Sequence, residues 1–140
     1  MGKILQFDDD GLFSWDADYF KNPNEMKLGY ENNIPTVSVL YSQKMVEVFG
    51  PARDSKEELT QKHKDIATSV QRVCEELILH LLNHLQKRTG LTNVCIAGGV
   101  AQNSVANGKI IENTEFEQLY IPSAGHDAGI SMGSALYTYN

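Results

Sequence analysis

The sequence predicts an α/β fold with a mixed sheet, and three observations carry that expectation. Short apolar runs bounded by turn residues open the chain, an unusually long helical pattern fills its middle, and the last third alternates strand, helix, strand, helix. The expected order is therefore an N-terminal hairpin, a long helix and a C-terminal β-α-β-α unit.

The hairpin is read from Lys3 to Phe7 as a first strand, Asp8-Asp9-Asp10-Gly11 as turn chemistry, and Leu12 to Trp15 as the returning strand. The aspartates do not make a calcium loop. With Gly11 as the loop glycine, Gln6 and Ala17 fall where carboxylates are required. Residues 21–37 carry Asn22, Pro23, Asn24, Gly29, Asn32, Asn33 and Pro35 and read as an irregular connection. A short helix is expected from Ser38 to Phe49, stopped by Gly50-Pro51.

Ser55 followed by Glu58 has the form of a capping box. Helical spacing then continues through Leu59, Ile66, Val70, Val73, Leu77, Leu81 and Leu85 to Gly90. Such a helix would run about 50 Å if unbroken. Next come a strand from Asn93 to Ala97, a helix opened by Gly98-Gly99 and reaching about Ile111, a strand from Gln118 to Ile121, and a helix from Asp127 to Tyr139. This order implies parallel strands joined by a right-handed crossover.

The chain of 140 residues is the size of one domain, and its 41% hydrophobic and 21% charged residues describe a globular protein. Twelve basic against eighteen acidic residues leave a net charge of -6, which argues against a nucleic-acid or anionic-membrane partner. No apolar run is long enough to span a bilayer and no signal peptide is legible, so the expected address is the cytoplasm. Cys74 and Cys95 lie in apolar patterns and read as buried free thiols of a reducing compartment.

Two segments could carry chemistry. In Ala97-Gly98-Gly99-Val100-Ala101-Gln102-Asn103, a strand ends in two glycines and feeds a helix. That turn lets backbone approach a ligand and aims helix N-terminal N–H groups at phosphate. Asn103, one turn into the helix, could hydrogen-bond a ribose or phosphate oxygen. The plainer alternative is a tight strand-to-helix turn, since the segment is neither a Walker A loop nor a G-x-G-x-x-G fingerprint. In Gly125-His126-Asp127-Ala128-Gly129, Asp127 stands at a helix start, where it serves either as an N-cap or as one carboxylate ligand of a divalent metal. His80 and His84 share a helix face at zinc-chelating spacing, but Leu81 stands where a metalloprotease carries glutamate, and packing accounts for them. His63 likewise reads as a packed, hydrogen-bonded residue. No residue is assigned a catalytic role.

Taken in order, Asp10-Gly11-Leu12-Phe13, Asp18-Tyr19-Phe20, Phe49-Gly50-Pro51-Ala52-Arg53, His63 to Gln71, Ala97 to Asn103, Val105 to Gly108 and Gly125 to Gly129 are similar to the O-carbamoyltransferases of nodulation-factor and antibiotic biosynthesis over nearly the whole chain. The resemblance implies the second lobe of an actin/Hsp70/sugar-kinase-type (ribonuclease H-like) fold, related to the tRNA threonylcarbamoyltransferase. It implies use of ATP and carbamoyl phosphate to form carbamoyl-adenylate, followed by transfer to a hydroxyl of a sugar or other small molecule. Gly98, Gly99 and Asn103 would line the nucleotide, and Asp127 would ligate a divalent metal, iron or another ion. The first lobe, with the family's metal-binding histidines, and the domain that forms carbamoyl-adenylate are expected to lie outside these 140 residues. The chain alone is therefore expected to fold but not to transfer carbamoyl groups. Alternatives are a tRNA-modifying lobe, a sugar or acetate kinase lobe, and a non-enzymatic nucleotide-binding module.

Overall fold

A computed structural model describes residues 4–22, 24 and 27–139. These residues form two units. One contains residues 4–8 and 13–72, the other residues 9–12 and 73–139. Three two-stranded sheets replace the expected single mixed sheet among the described residues.

In the first unit, β1 (Leu5–Phe7) pairs antiparallel with β2 (Phe13–Trp15), Gln6 opposite Ser14. The hairpin is as expected but shorter, and Lys3 lies outside the described residues. A single 3-10 turn, Ala17–Tyr19, follows. The stretch expected to be irregular is a second hairpin, β3 (Leu28–Glu31) against β4 (Ile34–Val37). Its two-residue turn is Asn32-Asn33, with φ of 50° and 63°. Positive φ at both central positions matches the right-handed twist of the strands, and asparagine tolerates it.

The first helix, α1 (Gln43–Phe49), starts five residues later than expected, because Ser38 still pairs with Lys27 and Tyr41 bridges Phe20. It stops at Gly50 (φ 86°), as expected. The long helix α2 (Gln61–Thr89) is about 43 Å in length. Ser55 and Glu58 do not cap it. Asp54 and Glu57 close a separate turn, in which the Asp54 N–H donates to Glu57 Oε2. The cap is Thr60, whose N–H donates to His63 Nδ1 at 3.1 Å while its carbonyl accepts the His63 N–H. His63 thus holds a helix entrance, the packed and hydrogen-bonded role expected of it. Gly90 (φ 66°) ends α2.

The second unit is built on β5 (Asn93–Cys95) parallel to β6 (Gln118–Tyr120), with α3 (Ser104–Asn113) between them and α4 (Gly129–Tyr139) after them. Its core is Leu82, Val94, Ile110 and Phe116, with Ile78, Ile96 and Leu119 packed around it. The buried face of α2 therefore runs through Glu75, Ile78 and Leu82 rather than Leu77, Leu81 and Leu85. The segment Leu77–Leu82 is apolar nearly all round, so its sequence does not select one face. Buried Glu75 accepts from Lys109 Nζ at 2.6 Å, tying α2 to α3.

Both cysteines are free thiols, but neither is buried. Cys95 lies on the face of β5 opposite Val94 and is exposed. No helix among the described residues is long and apolar enough to cross a membrane.

Candidate functional site

The two sequence segments singled out above meet at the carboxyl ends of β5 and β6. The Gly98 N–H donates to the Gly125 carbonyl at 2.6 Å, joining the loop after β5 to the loop after β6. In parallel α/β architecture this edge is where ligands bind, because both strand-to-helix loops open onto it.

Local chemistry fixes the first loop. Gly98 adopts φ 108° and ψ 167°, a region closed to side chains other than glycine. The helix does not begin directly after it. A 3-10 turn, Gly99–Gln102, intervenes, and α3 starts only at Ser104. Among the described residues no acceptor meets the N–H groups of Gly99 and Val100, the first donors of that turn. Gly99 and Val100 are both exposed residues, Val100 to 64%.

Asn103 is the N-cap of α3 rather than a residue one turn inside a helix. Its Oδ1 accepts the Ala106 N–H at 3.1 Å, and Nδ2 approaches Cys74 Sγ at 3.9 Å. Asn107, part of the Val105 to Gly108 segment of the resemblance but given no role there, braces the same turn by donating from Nδ2 to the Ala101 carbonyl at 2.7 Å. Its place one turn beyond Asn103 was the available signal.

The second loop is equally constrained. A Cβ on Gly129 would lie 2.1 Å from the Ala124 carbonyl oxygen, so the chain passes itself too closely for any larger residue. Gly125 leaves room for Gln102, whose Nε2 would be 3.1 Å from an added Cβ. Asp127 precedes α4 by two residues and does not cap it. The capping geometry belongs to His126, whose Nδ1 accepts the Ala128 N–H at 3.3 Å and whose carbonyl accepts the Gly129 N–H. Asp127 is exposed, and among the described residues its carboxylate has no hydrogen-bond or ion-pair partner.

The residues here do not complete a metal centre. Among the described residues no three His, Cys, Asp or Glu side chains converge, so Asp127 offers a single carboxylate. His80 and His84 are used differently. His80 Nε2 donates to the Leu12 carbonyl at 3.0 Å, and the His84 ring fills the space against Gly11. Both hold the Gly11-Leu12 turn, in keeping with packing rather than chelation.

Comparison with known proteins agrees with the resemblance. Residues 4–136 match the model of the family described as Carbamoyltransferase N-terminus. The uncharacterized protein sll1178 of Synechocystis sp. is 35% identical over 141 residues, an alignment covering all of this chain and 21% of that protein. Nodulation protein NolO of Bradyrhizobium diazoefficiens is 43% identical over 77 residues, 55% of this chain and 14% of that protein. Nodulation protein NolNO of Sinorhizobium fredii is 40% identical over 81 residues, 58% of this chain and 12% of that protein. The aligned part is thus about a fifth or less of the length of each of these relatives. With the match extending over nearly its whole length, the chain belongs to the Carbamoyltransferase N-terminus family.

Proposed function

We propose that this chain supplies the nucleotide-facing edge of an ATP-dependent carbamoyltransferase that moves a carbamoyl group from carbamoyl phosphate, through carbamoyl-adenylate, to a hydroxyl of a sugar or other small molecule. The observation that carries the proposal is the Gly98 N–H to Gly125 carbonyl bond, which sets the glycine turn and the Asp127 loop side by side at one strand edge. In this reading the Gly99 and Val100 N–H groups donate to phosphate oxygens, where the partial positive charge of a helical turn favours an anion. The fixed backbone of Gly98 keeps those donors in register, so little reorganisation is needed when the adenylate binds. Asn103 holds the turn from below through its cap and, by carry-over from the family, lies along the nucleotide.

Asp127 contributes one ligand position towards a divalent metal, and further ligands would come from polypeptide outside these 140 residues. The second unit is read as part of the second lobe of an actin/Hsp70/sugar-kinase-type fold, with the first lobe and the adenylate-forming domain elsewhere in a longer protein. No nucleic-acid or membrane partner is proposed.

Two assays test this. The purified chain, given carbamoyl phosphate and ATP, should show no turnover, and turnover by it would contradict the split-site reading. In amide-resolved NMR, ATP should shift Gly99 and Val100 selectively. Shifts confined to other segments would move the nucleotide site away from this edge. A sugar or acetate kinase lobe is the second reading, because the same glycine turn can serve phosphate in phosphoryl transfer. A phosphorylated rather than carbamoylated product from the longer protein would decide for it.

A further inference from the structure

The second hairpin has two edges of unequal chemistry. The Ser38 N–H donates to the Lys27 carbonyl at 3.0 Å and the Lys27 N–H donates to Ser38 Oγ, so Lys27 turns its backbone groups towards the β4 side. Antiparallel pairing alternates, so Gly29 and Glu31 do the same, while Leu28 and Tyr30 direct their N–H and C=O groups outward. Among the described residues no partner meets these outward groups. On the other strand, Pro35 lies opposite Tyr30 and so takes an outward-facing position of β4. Proline has no N–H to offer, which blunts that edge against strand addition. The β3 edge carries no such block.

The side chains along β3 define what fits beside it. Leu28 and Tyr30 share a face with Val37 and Pro35, and they are 80% and 77% exposed. Lys27 and Glu31 are exposed, stand symmetrically on either side of Gly29, and have no ion-pair partner among the described residues. A complementary strand therefore needs apolar residues opposite Leu28 and Tyr30, an acid opposite Lys27 and a base opposite Glu31. The same strand, reversed about Gly29, meets every one of these requirements.

We propose that the β3 edge pairs antiparallel with the β3 edge of a second copy of this chain, about a two-fold axis at Gly29. Leu28 of each copy then lies opposite Tyr30 of the other, and the two pairs exchange backbone hydrogen bonds that use every outward group. Lys27 of each copy lies opposite Glu31 of the other, a favourable cross-strand charge pair. Gly29 meets Gly29 in a non-hydrogen-bonded pair, where opposed Cα atoms come to about 4.5 Å and a missing side chain eases the approach. In-register parallel pairing would instead set Lys27 beside Lys27. The contact is isologous, so it closes at two copies in a sheet of order β4-β3-β3-β4. It is independent of the nucleotide edge, and failure of either reading leaves the other standing.

Sedimentation equilibrium of the 140-residue chain from about 10 μM to about 1 mM reads the assembly, because a short edge contact belongs to the weak, transient class. The expected result is a monomer–dimer equilibrium, with amide exchange at Leu28 and Tyr30 slowing as dimer forms. Lys27→Glu and Glu31→Lys should each weaken dimerisation about tenfold with an unchanged circular dichroism spectrum, because like charges then face each other across the axis. These two substitutions move the net charge of -6 in opposite directions, so a shared loss isolates the cross-strand pairing. Combining them restores opposite charges and should recover wild-type dimerisation to within about threefold. Tyr30→Pro removes one outward N–H, as Pro35 does on β4, and should abolish dimerisation. A monomer at every concentration overturns the proposal. So does wild-type association in both single charge variants, which would move the contact to another face. Protection of the Leu28 and Tyr30 amides in the dilute monomer would place another segment of the polypeptide on this edge and overturn it as well.

Discussion

The two units of this chain bury their side chains very differently. Around β5, α3 and β6, six apolar residues are buried: Leu82, Val94, Ala101, Ala106, Ile110 and Phe116. In the unit holding both hairpins, Tyr19 alone among the described apolar residues is buried, while Leu28, Tyr30 and Ile34 stand largely in solvent. The second unit is thus held by packing, and its loops inherit their positions from a core. The first is held by backbone pairing, turns and the Asp16–Lys44 contact. Substitutions that remove volume should therefore act strongly in one and weakly in the other.

The largest contrast should come from Ile110→Ala. Ile110 is fully buried, and its truncation is expected to cost about 2–5 kcal/mol through lost burial and a residual cavity. Leu28→Ala, at a position 80% exposed, should stay within about 0.5 kcal/mol. Urea unfolding of both variants checks the pair, and equal losses would erase the distinction between the units.

A smaller effect is expected at the glycine turn. Gly98→Ala forces a side chain into the backbone conformation at φ 108° and should cost about 1–3 kcal/mol. It should also quicken amide exchange at Ala101 and Asn103, whose N–H groups bond back across the turn. Unchanged exchange there would show that the turn tolerates a Cβ. In the first unit, Asn33→Gly should stabilise the second hairpin by only a few tenths of a kcal/mol, because both residues already suit the turn. A loss of stability would contradict that geometry.

The smallest effect should be that of pH on the Asp16–Lys44 contact. Lys44, and then the Asp18 N–H, hold the Asp16 carboxyl below its usual range. Asp16 in turn raises the Lys44 ammonium above its usual value. The acid's contribution is present above its unfolded pKa and is lost as pH falls through the lowered folded value. The amine's contribution is present below its unfolded pKa and is lost as pH rises through the raised folded value. The contact should therefore be unchanged between about pH 5 and 9, with slight loss only at the extremes. Trp15 emission followed against pH checks this, and a transition near neutrality would contradict it.

How much was legible follows the same division. The β-α-β-α order reads directly from apolar runs separated by Gly98-Gly99 and Pro122–Gly125, because a buried core enforces strong patterning. The two loops that meet after β5 and β6 were legible for the same reason, although Asn103 is a helix cap and His126 takes the capping geometry that Asp127 was one candidate for. The second hairpin was hidden because Gly29 and Pro35 look like breakers, while the turn-forming signal was Asn32-Asn33. The start of α2 is masked in the sequence because Asp54–Glu57 forms a turn with helix-cap chemistry just ahead of the true cap at Thr60. The contacts of Lys44 with Asp16 and Asp18 span more than twenty positions and left no local periodicity to find.

The most direct test of the account is carbamoyl transfer by the complete polypeptide that carries this region, measured with Asp127→Asn in place. Asp127 is exposed and partnerless among the described residues, so the substitution should leave the fold intact. The account predicts transfer reduced about 10²- to 10³-fold, the scale of losing one electrostatic contributor to a reaction centre. A wild-type transfer rate in that variant would return Asp127 to a solvent-facing residue of a helix entrance and contradict the assignment of this strand edge as the reaction edge.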